Sequence, residues 1–318
     1  MSELHEPTIA SDELRPTHIE VDLEQLERNY HSICQHVAPA LVMPILKANA
    51  YGHGLIEVAR RLQHAGAPYL GVAYLEEALR LRQHGVHTRL LVLGGIVGSQ
   101  LPRFIENDLS ITASSLDKLQ AIEACAAALG KRARVHLKID TGMERIGVHW
   151  YSAEPLLEAS LHAQNIDIQG VFTHFANADE PDFSRSRLQL ERFQEVLRFY
   201  EKRSLQPPLR HAANSGAILQ LPEANLDLVR PGVLLYGVSP AAELAVPLSV
   251  APALRWSTRV VFFKVVNEGN PVSYGSTWAP QRWTRVITLP VGYGDGYLRA
   301  MSGQAEVLLN GQRFKVAG

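Results

Sequence analysis

The chain has 318 residues, room for about two domains at roughly 150 residues each. Its 31 Lys and Arg balance 32 Asp and Glu, which excludes the basic excess typical of a nucleic-acid binder. With 46 % hydrophobic and 20 % charged residues it is globular in composition, and no apolar run approaches the roughly 18 residues of a membrane span.

Residues 1–15 form a polar extension with Glu3, Glu6, Asp12 and Glu13. It lacks the basic start and apolar middle of a secretory signal, so a cytoplasmic location is expected. Cys34 and Cys125 lie far apart with no C-x-x-C, which argues against a disulfide framework or a cysteine zinc site. The 13 histidines form no H-E-x-x-H or H-x-H cluster. Most are expected on the surface or in loops, and no metal is expected.

Strand-like runs then alternate with helical ones. The strand-like runs are residues 42–47, 69–74, 89–93, 110–113, 134–139, 168–174, 209–214 and 226–229. Apolar residues at steps of three and four predict helices over 55–65, 75–82, 101–107, 116–129, 153–163, 183–202 and 217–221, and 232–236 follows the last strand. Such alternation argues for parallel βα units, and eight of them close a (β/α)8 barrel, here over residues 16–238. A doubly wound open sheet is the alternative. Pro240, Pro247 and Pro252 then punctuate a linker. The runs beyond it, 256–266, 272–274, 285–291, 306–309 and 314–316, are of β type. Asn310-Gly311 predicts a two-residue hairpin turn, because type I′ needs φ > 0 at both central positions. Residues 239–318 therefore read as a second, all-β domain that stops just after a strand begins.

In a (β/α)8 barrel the chemistry collects at the C-terminal ends of the strands. That rule gathers Lys47, Arg145, His174, Asn214, Ser215 and Arg230 at one mouth, with Lys138 and Asp140 on the fifth strand. The set is rich in cations and donors and suits an anionic ligand. Ser215-Gly216 and Gly232 lie where barrels build a phosphate corner, near strands 7 and 8. Lys47, flanked by Ile45, Leu46, Ala48 and Ala50, reads either as a desolvated and therefore nucleophilic amine or as a strand-end lysine that snorkels to solvent. With a phosphate corner and no metal ligands, its amine points to a Schiff base with pyridoxal phosphate. Asp140-Thr141-Gly142 matches the short aspartic-protease signature, but only one copy is present and that chemistry needs a carboxylate pair. Gly292-x-Gly294-x-Gly296 is not a dinucleotide fingerprint.

Leu46-Lys47-Ala48-Asn49-Ala50-Tyr51-Gly52-His53-Gly54 resembles the pyridoxal-phosphate attachment motif of bacterial alanine racemases. Residues 136–147, Thr173-His174-Phe175-Ala176, Ala213-Asn214-Ser215, Val229-Arg230-Pro231-Gly232-Val233, Val272-Ser273-Tyr274-Gly275 and 291–297 follow in that family's order. The resemblance implies an isomerase that interconverts L- and D-alanine by a two-base mechanism and supplies D-alanine for peptidoglycan. It implies a homodimer whose active sites are shared between subunits, with no nucleic-acid or membrane partner. Lys47 would carry the cofactor. Tyr51, Asn214, Ser215, Gly232 and Val233 would lie around its phosphate end, with His174 against the ring and Arg230 facing the pyridine nitrogen. Arg145 would bond the cofactor phenolate oxygen and help place the substrate carboxylate. The counterpart of Lys138 is carbamylated in many members. Tyr274 would be the second base, delivered from the other subunit, and Tyr293 would narrow the entrance. In the family the β domain continues with further strands, a Met-Asp pair and a late tyrosine. The chain is accordingly expected to be C-terminally incomplete, and its turnover low.

Two other readings stand beside this one: a non-catalytic pyridoxal-phosphate-binding protein, and a fold-related amino-acid decarboxylase. Decarboxylases of this fold place a carboxylate at the pyridine nitrogen, where Arg230 stands here. Serine is a second candidate substrate within the racemase reading.

Overall fold

The computed structural model describes residues 14–244 and 247–318. The first thirteen residues of the expected acidic extension thus lie outside the described residues. Two compact units result: Val21–Leu254, and a second in which residues 14–20 join Arg255–Gly318. The residue 238/239 boundary expected from sequence falls inside the first unit, and residues 16–20, expected in the barrel, belong to the second.

The first unit is built on Leu41–Val42 (β1), Tyr69–Val72 (β2), Arg89–Val92 (β3), Ser110–Ala113 (β4), Ala133–Asp140 (β5), Ile166–Phe172 (β6), Leu209–His211 (β7) and Leu228–Val229 (β8). Strands β2 to β7 are successive neighbours in one sheet and pair in parallel. β8 pairs in parallel with β1, Leu228 opposite Leu41. Two seams complete the ring. Leu46 N–H donates to Gly71 O at 2.7 Å beside the Ile45–Gly71 bridge, and Asp227 N–H donates to Arg210 O at 3.1 Å. The eight strands therefore form the closed barrel, not the open sheet. Leu70, Leu90, Ile111, Val135 and Val171, which the strands contribute to the core, are fully buried.

Helices fall between the strands as the apolar spacing predicts, including Leu75–Gln83 (α2), Leu116–Ala128 (α3) and Ser184–Glu201 (α4). One helix was not expected: Leu23–Val37 (α1). Its signals are present in the sequence. Asp22 accepts the Gln25 N–H as N-cap, and Leu26, Tyr30, Ile33 and Val37 repeat on its buried face. The sixth and seventh strands end earlier than predicted. The carbonyls of Thr173 and Ala212 there accept hydrogen bonds from a buried arginine.

The second unit pairs Phe262–Val266 with Thr284–Thr288 and Glu306–Leu309 with Gln312–Lys315, and the strands His18–Val21 and Leu254–Ser257, whose end residues Val21 and Leu254 fall at the unit boundary, pair with each other. The run predicted over 256–266 is broken, and at the break Thr258 Oγ1 meets Thr17 Oγ1 at 2.9 Å. The run at 272–274 is reduced to a bridge between Val272 and Trp278. Asn310 and Gly311, at φ +48° and +80°, form the predicted tight turn between antiparallel strands. Phe262, Phe263, Trp283 and Leu308 are exposed.

Asn29 ties α1 to the segment after β8. Its Nδ2 donates to Leu235 O (3.0 Å) and Ala251 O (2.8 Å), and its Oδ1 accepts from Ala251 N–H (3.0 Å). It is fully buried, so Asn29→Leu strands these polar groups without solvent. Urea unfolding of that variant is expected to show a loss of about 3 kcal/mol. A change within about 0.5 kcal/mol, typical of a surface substitution, would disprove the assignment.

Candidate active site

After β1 the chain enters the turn Lys47–Tyr51, in which Ala48, Asn49 and Ala50 have φ of 55, 56 and 55° and Tyr51 has 53°. Left-handed backbone costs a non-glycine residue about 1–2 kcal/mol, so four in succession must be held by their surroundings. Ala50 N–H donates to Leu46 O (2.9 Å), Gly54 N–H to Asn49 O (3.0 Å) and Leu55 N–H to Asn49 Oδ1 (3.0 Å). The turn keeps Ile45, Leu46 and Ala50 in the core and turns Lys47 outward. Lys47 is therefore exposed, as the solvent-reaching reading has it, and not desolvated. Its Nζ lies 5.7 Å from the Tyr51 ring centroid.

Tyr51 reaches the far side of the mouth. A Cβ built on Gly232 would lie 2.6 Å from the Tyr51 hydroxyl oxygen and 3.9 Å from Ser215 Oγ. Only a glycine lets backbone, tyrosine and serine converge there. Ser215 Oγ accepts Gly232 N–H at 2.9 Å and Leu234 N–H at 3.3 Å. Val233 begins the short helical turn that follows Gly232. Burial raises the Tyr51 pKa, so its hydroxyl stays a donor. Asn214 is occupied as a helix cap, its Oδ1 accepting Ala217 N–H at 3.1 Å. These groups fit a phosphate: small, donor-rich and without a carboxylate.

Arg230 is buried. Its Nη2 donates to Thr173 O (2.7 Å), Ala212 O (2.9 Å) and His174 Nδ1 (3.2 Å), and its Nη1 to His211 Nδ1 (2.9 Å). Burial draws its pKa down to about 9, which leaves it protonated at neutral pH. His211 Nε2 in turn faces His136 Nδ1 at 3.0 Å. Burial, reinforced by the Arg230 cation, lowers His136 to about 3 and holds His174 and His211 well below their usual range. Neutral rings accept at one nitrogen, which is what Arg230 requires. The other described histidines are partly or fully exposed, as expected of most, and His136 and His211 are the two that are buried. Both lie within β-strands, and that position was the available signal.

Lys138 on β5 is buried, its Nζ 5.0 Å from the Phe172 ring centroid and 3.2 Å from Ile139 O. Burial first, then Arg230 and Arg145, against the pull of Asp140, lower its pKa to about 7. Asp140 organises the following loop. Its Oδ1 accepts the N–H groups of Gly142 (2.8 Å), Met143 (2.9 Å) and Glu144 (3.1 Å), and its Oδ2 that of Arg145 (3.1 Å). Burial alone would raise its pKa; the backbone donors outweigh burial and hold it low. The Asp-Thr-Gly triplet is thus a loop anchor, and Arg145 stands exposed on the loop it shapes.

Buried Gln189 of α4 was not singled out from sequence. It accepts from Ala176 N–H (2.9 Å) and donates to His174 O (3.0 Å) and Thr141 Oγ1 (3.2 Å). Tyr274 and Tyr293 belong to the second unit and are 79 % and 59 % exposed, so they are free to meet a surface. Asp295 closes the turn Tyr293–Asp295 on Gly292 N–H (2.9 Å) and pairs with Arg15.

Residues 21–240 match the family described as alanine racemase, N-terminal domain, and residues 253–318 that described as alanine racemase, C-terminal domain. The chain is 42 % identical over 306 residues to the alanine racemase of Carboxydothermus hydrogenoformans, covering 96 % of this chain and 83 % of that one. The structure resembles alanine racemase from D-cycloserine-producing Streptomyces lavendulae with a TM-score of 0.90 and 38 % identity, over 96 % of this chain and 81 % of the other. It also resembles alanine racemase from Bartonella henselae with covalently bound pyridoxal phosphate, with a TM-score of 0.84 and 27 % identity, over 94 % and 82 % of the two chains.

Lys138 gives a sign to the pH dependence of stability. Unfolded, it holds its proton up to its ordinary 10.5; folded, it releases it near 7. Between those values the folded chain binds fewer protons, so the penalty of burying Lys138 is complete below the window and fades as pH rises through it. Urea unfolding in carbon-dioxide-free buffer should show stability rising by up to about 1.4 kcal/mol per pH unit relative to Lys138→Met. Parallel profiles for the two proteins would show that Lys138 stays charged.

Proposed function

We propose, since this chain belongs to the alanine racemase family of pyridoxal-phosphate-dependent isomerases, that it interconverts L- and D-alanine by two bases on opposite faces of the substrate Cα. The observation that carries this reading is the convergence of Tyr51, Ser215 and Gly232 on the same mouth as Lys47. Bound pyridoxal phosphate supplies an aldehyde for the amino groups and a ring that accepts electron density from Cα.

The residues divide the remaining tasks. Lys47 Nζ holds the cofactor and moves the Cα proton on one face. Tyr274, supplied by a second copy of the chain, moves it on the other; its 79 % exposure supports that role. Tyr51, Ser215 and the backbone at Gly232 and Val233 take the phosphate, with Asn214 fixing the helix behind Ser215. Arg230 faces the ring nitrogen as a donor and leaves it unprotonated, which limits delocalisation and side reactions. His174 lies beside it. Arg145 orients the cofactor oxygen and the substrate carboxylate. Lys138, with a pKa of about 7, offers a neutral amine to carbon dioxide, and the resulting carbamate would pair with Arg145. Tyr293 narrows the entrance. The product serves peptidoglycan synthesis, and the unpaired Cys34 and Cys125 fit a reducing cytoplasm.

Purified chain with pyridoxal phosphate should racemise L-alanine faster than L-serine, and Lys47→Ala should lower the rate by at least about a hundredfold. A preference for serine would change the substrate, and no racemisation of either would refute the reading. Arg230→Glu should raise transamination relative to racemisation, and an unchanged product ratio would remove Arg230 from the ring nitrogen. Mixed Lys47→Ala and Tyr274→Phe subunits should regain activity through one intact site per dimer. No recovery would refute the shared arrangement.

A further inference from the structure

Glu77 lies at the third position of α2, outside every motif that marks the active site. It is half-buried, and its carboxylate is fully engaged with backbone. Oε1 accepts the N–H of Ala48, the residue after Lys47, at 2.7 Å. Oε2 accepts the N–H groups of Ala73 at 2.8 Å and Tyr74 at 3.3 Å, where β2 hands over to α2. One carboxylate thus spans the turn that carries Lys47 and the end of the neighbouring strand. Ala48 is also the first of the left-handed residues, at φ +55°. Strain of this kind persists only where its surroundings over-determine it, and a carboxylate oxygen on the amide of the first left-handed residue is one such restraint.

We infer that Glu77 is a positioning residue for Lys47: by clamping Ala48 N–H to the end of β2, it holds the left-handed turn in the geometry that aims the lysine amine at the cofactor aldehyde. The inference rests on the reading of Lys47 as the cofactor lysine.

Neutral glutamine has one acceptor oxygen, so Glu77→Gln keeps one anchor and loses the other. Aspartate keeps the charge but is one methylene short of the span. Glu123 is the matched control. It likewise accepts backbone N–H groups, those of Gln164 and Asn165, but between α3 and β6, and it takes no part in the Lys47 turn. Each 318-residue chain would be stripped of cofactor and mixed with pyridoxal phosphate. Schiff-base formation is followed by absorbance, the adduct is fixed with borohydride and mapped, and thermal unfolding of the stripped proteins is recorded.

Glu77→Gln and Glu77→Asp should each slow formation of the Lys47 adduct by about tenfold, the worth of one charge-assisted hydrogen bond. Glu123→Gln should lower the unfolding midpoint comparably and leave the adduct rate unchanged. Equal slowing by Glu77→Gln and Glu123→Gln would reduce the effect to general stability and overturn the inference. Full speed in Glu77→Asp would overturn the two-point clamp. If the unaltered protein carries the label on a lysine other than Lys47, the reading of Lys47 itself fails and the inference falls with it. Label on Lys47 in every protein at one rate refutes the inference alone.

Discussion

The barrel is organised around one buried cation. Taking a guanidinium out of water costs several kcal/mol unless its donors are met, and the usual partner is a carboxylate. Among the described residues no carboxylate forms an ion pair with Arg230; two strand-end carbonyls and two imidazoles accept from it instead. That choice constrains its neighbours. Thr173 and Ala212 must turn their carbonyls inward, so β6 and β7 stop early. His211 and His174 must present an unprotonated Nδ1, and His211 then offers Nε2–H to His136. A cation solvated by neutral acceptors retains its full positive charge toward whatever lies at the mouth. A carboxylate-paired arginine would not.

Around that centre the loops are fixed by single side chains that each accept or donate several times. Asp140 gathers four amides and thereby sets the path of the loop that ends at Arg145. Gln189 joins the ends of β5 and β6 from the helix outside, and Ser215 does the same between β7 and β8. Each bond is worth roughly 1 kcal/mol net. Their grouping on one side chain matters more, because losing that side chain strands several buried amides together.

Much of this was legible in the sequence, for reasons that can be named. The alternation of apolar runs with helical spacing reports burial, and burial decides the barrel, so strand number and order followed from it. The Asn310-Gly311 turn followed from backbone sterics. The positions of His174, Ser215 and Arg230 just past strand ends followed from the geometry of any (β/α)8 barrel. What failed depended on tertiary satisfaction. The apolar neighbours of Lys47 leave desolvation and exposure both open, and a run of left-handed residues, which no propensity anticipates for Ala-Asn-Ala-Tyr, decides for exposure. His136 and His211 read as ordinary histidines because only the closed ring brings them to Arg230. Glu77 is unmarked in the sequence because its partners are backbone amides, which carry no sequence signature. Helix α1 does carry a cap and an apolar period in the sequence, but it precedes the first strand of the alternation.

The mouth gathers cations with little to offset them, and the consequences run in one direction. Lys138 lies between Arg230, Arg145 and the low-dielectric barrel wall, and only Asp140 favours its charge. Asp140 spends its acceptor sites on backbone amides, so its offset is partial. The least costly relief is for Lys138 to release its proton, because Arg230, even at about 9, holds its own more firmly. The site is thus left with one permanent buried cation, one amine on the edge of neutrality and a ring of N–H and O–H donors. An anion entering there finds the Asp140 carboxylate already engaged by backbone amides. Its charge also favours reprotonation of Lys138. Ligand charge and lysine protonation are therefore coupled, and the empty and filled sites hold different numbers of protons.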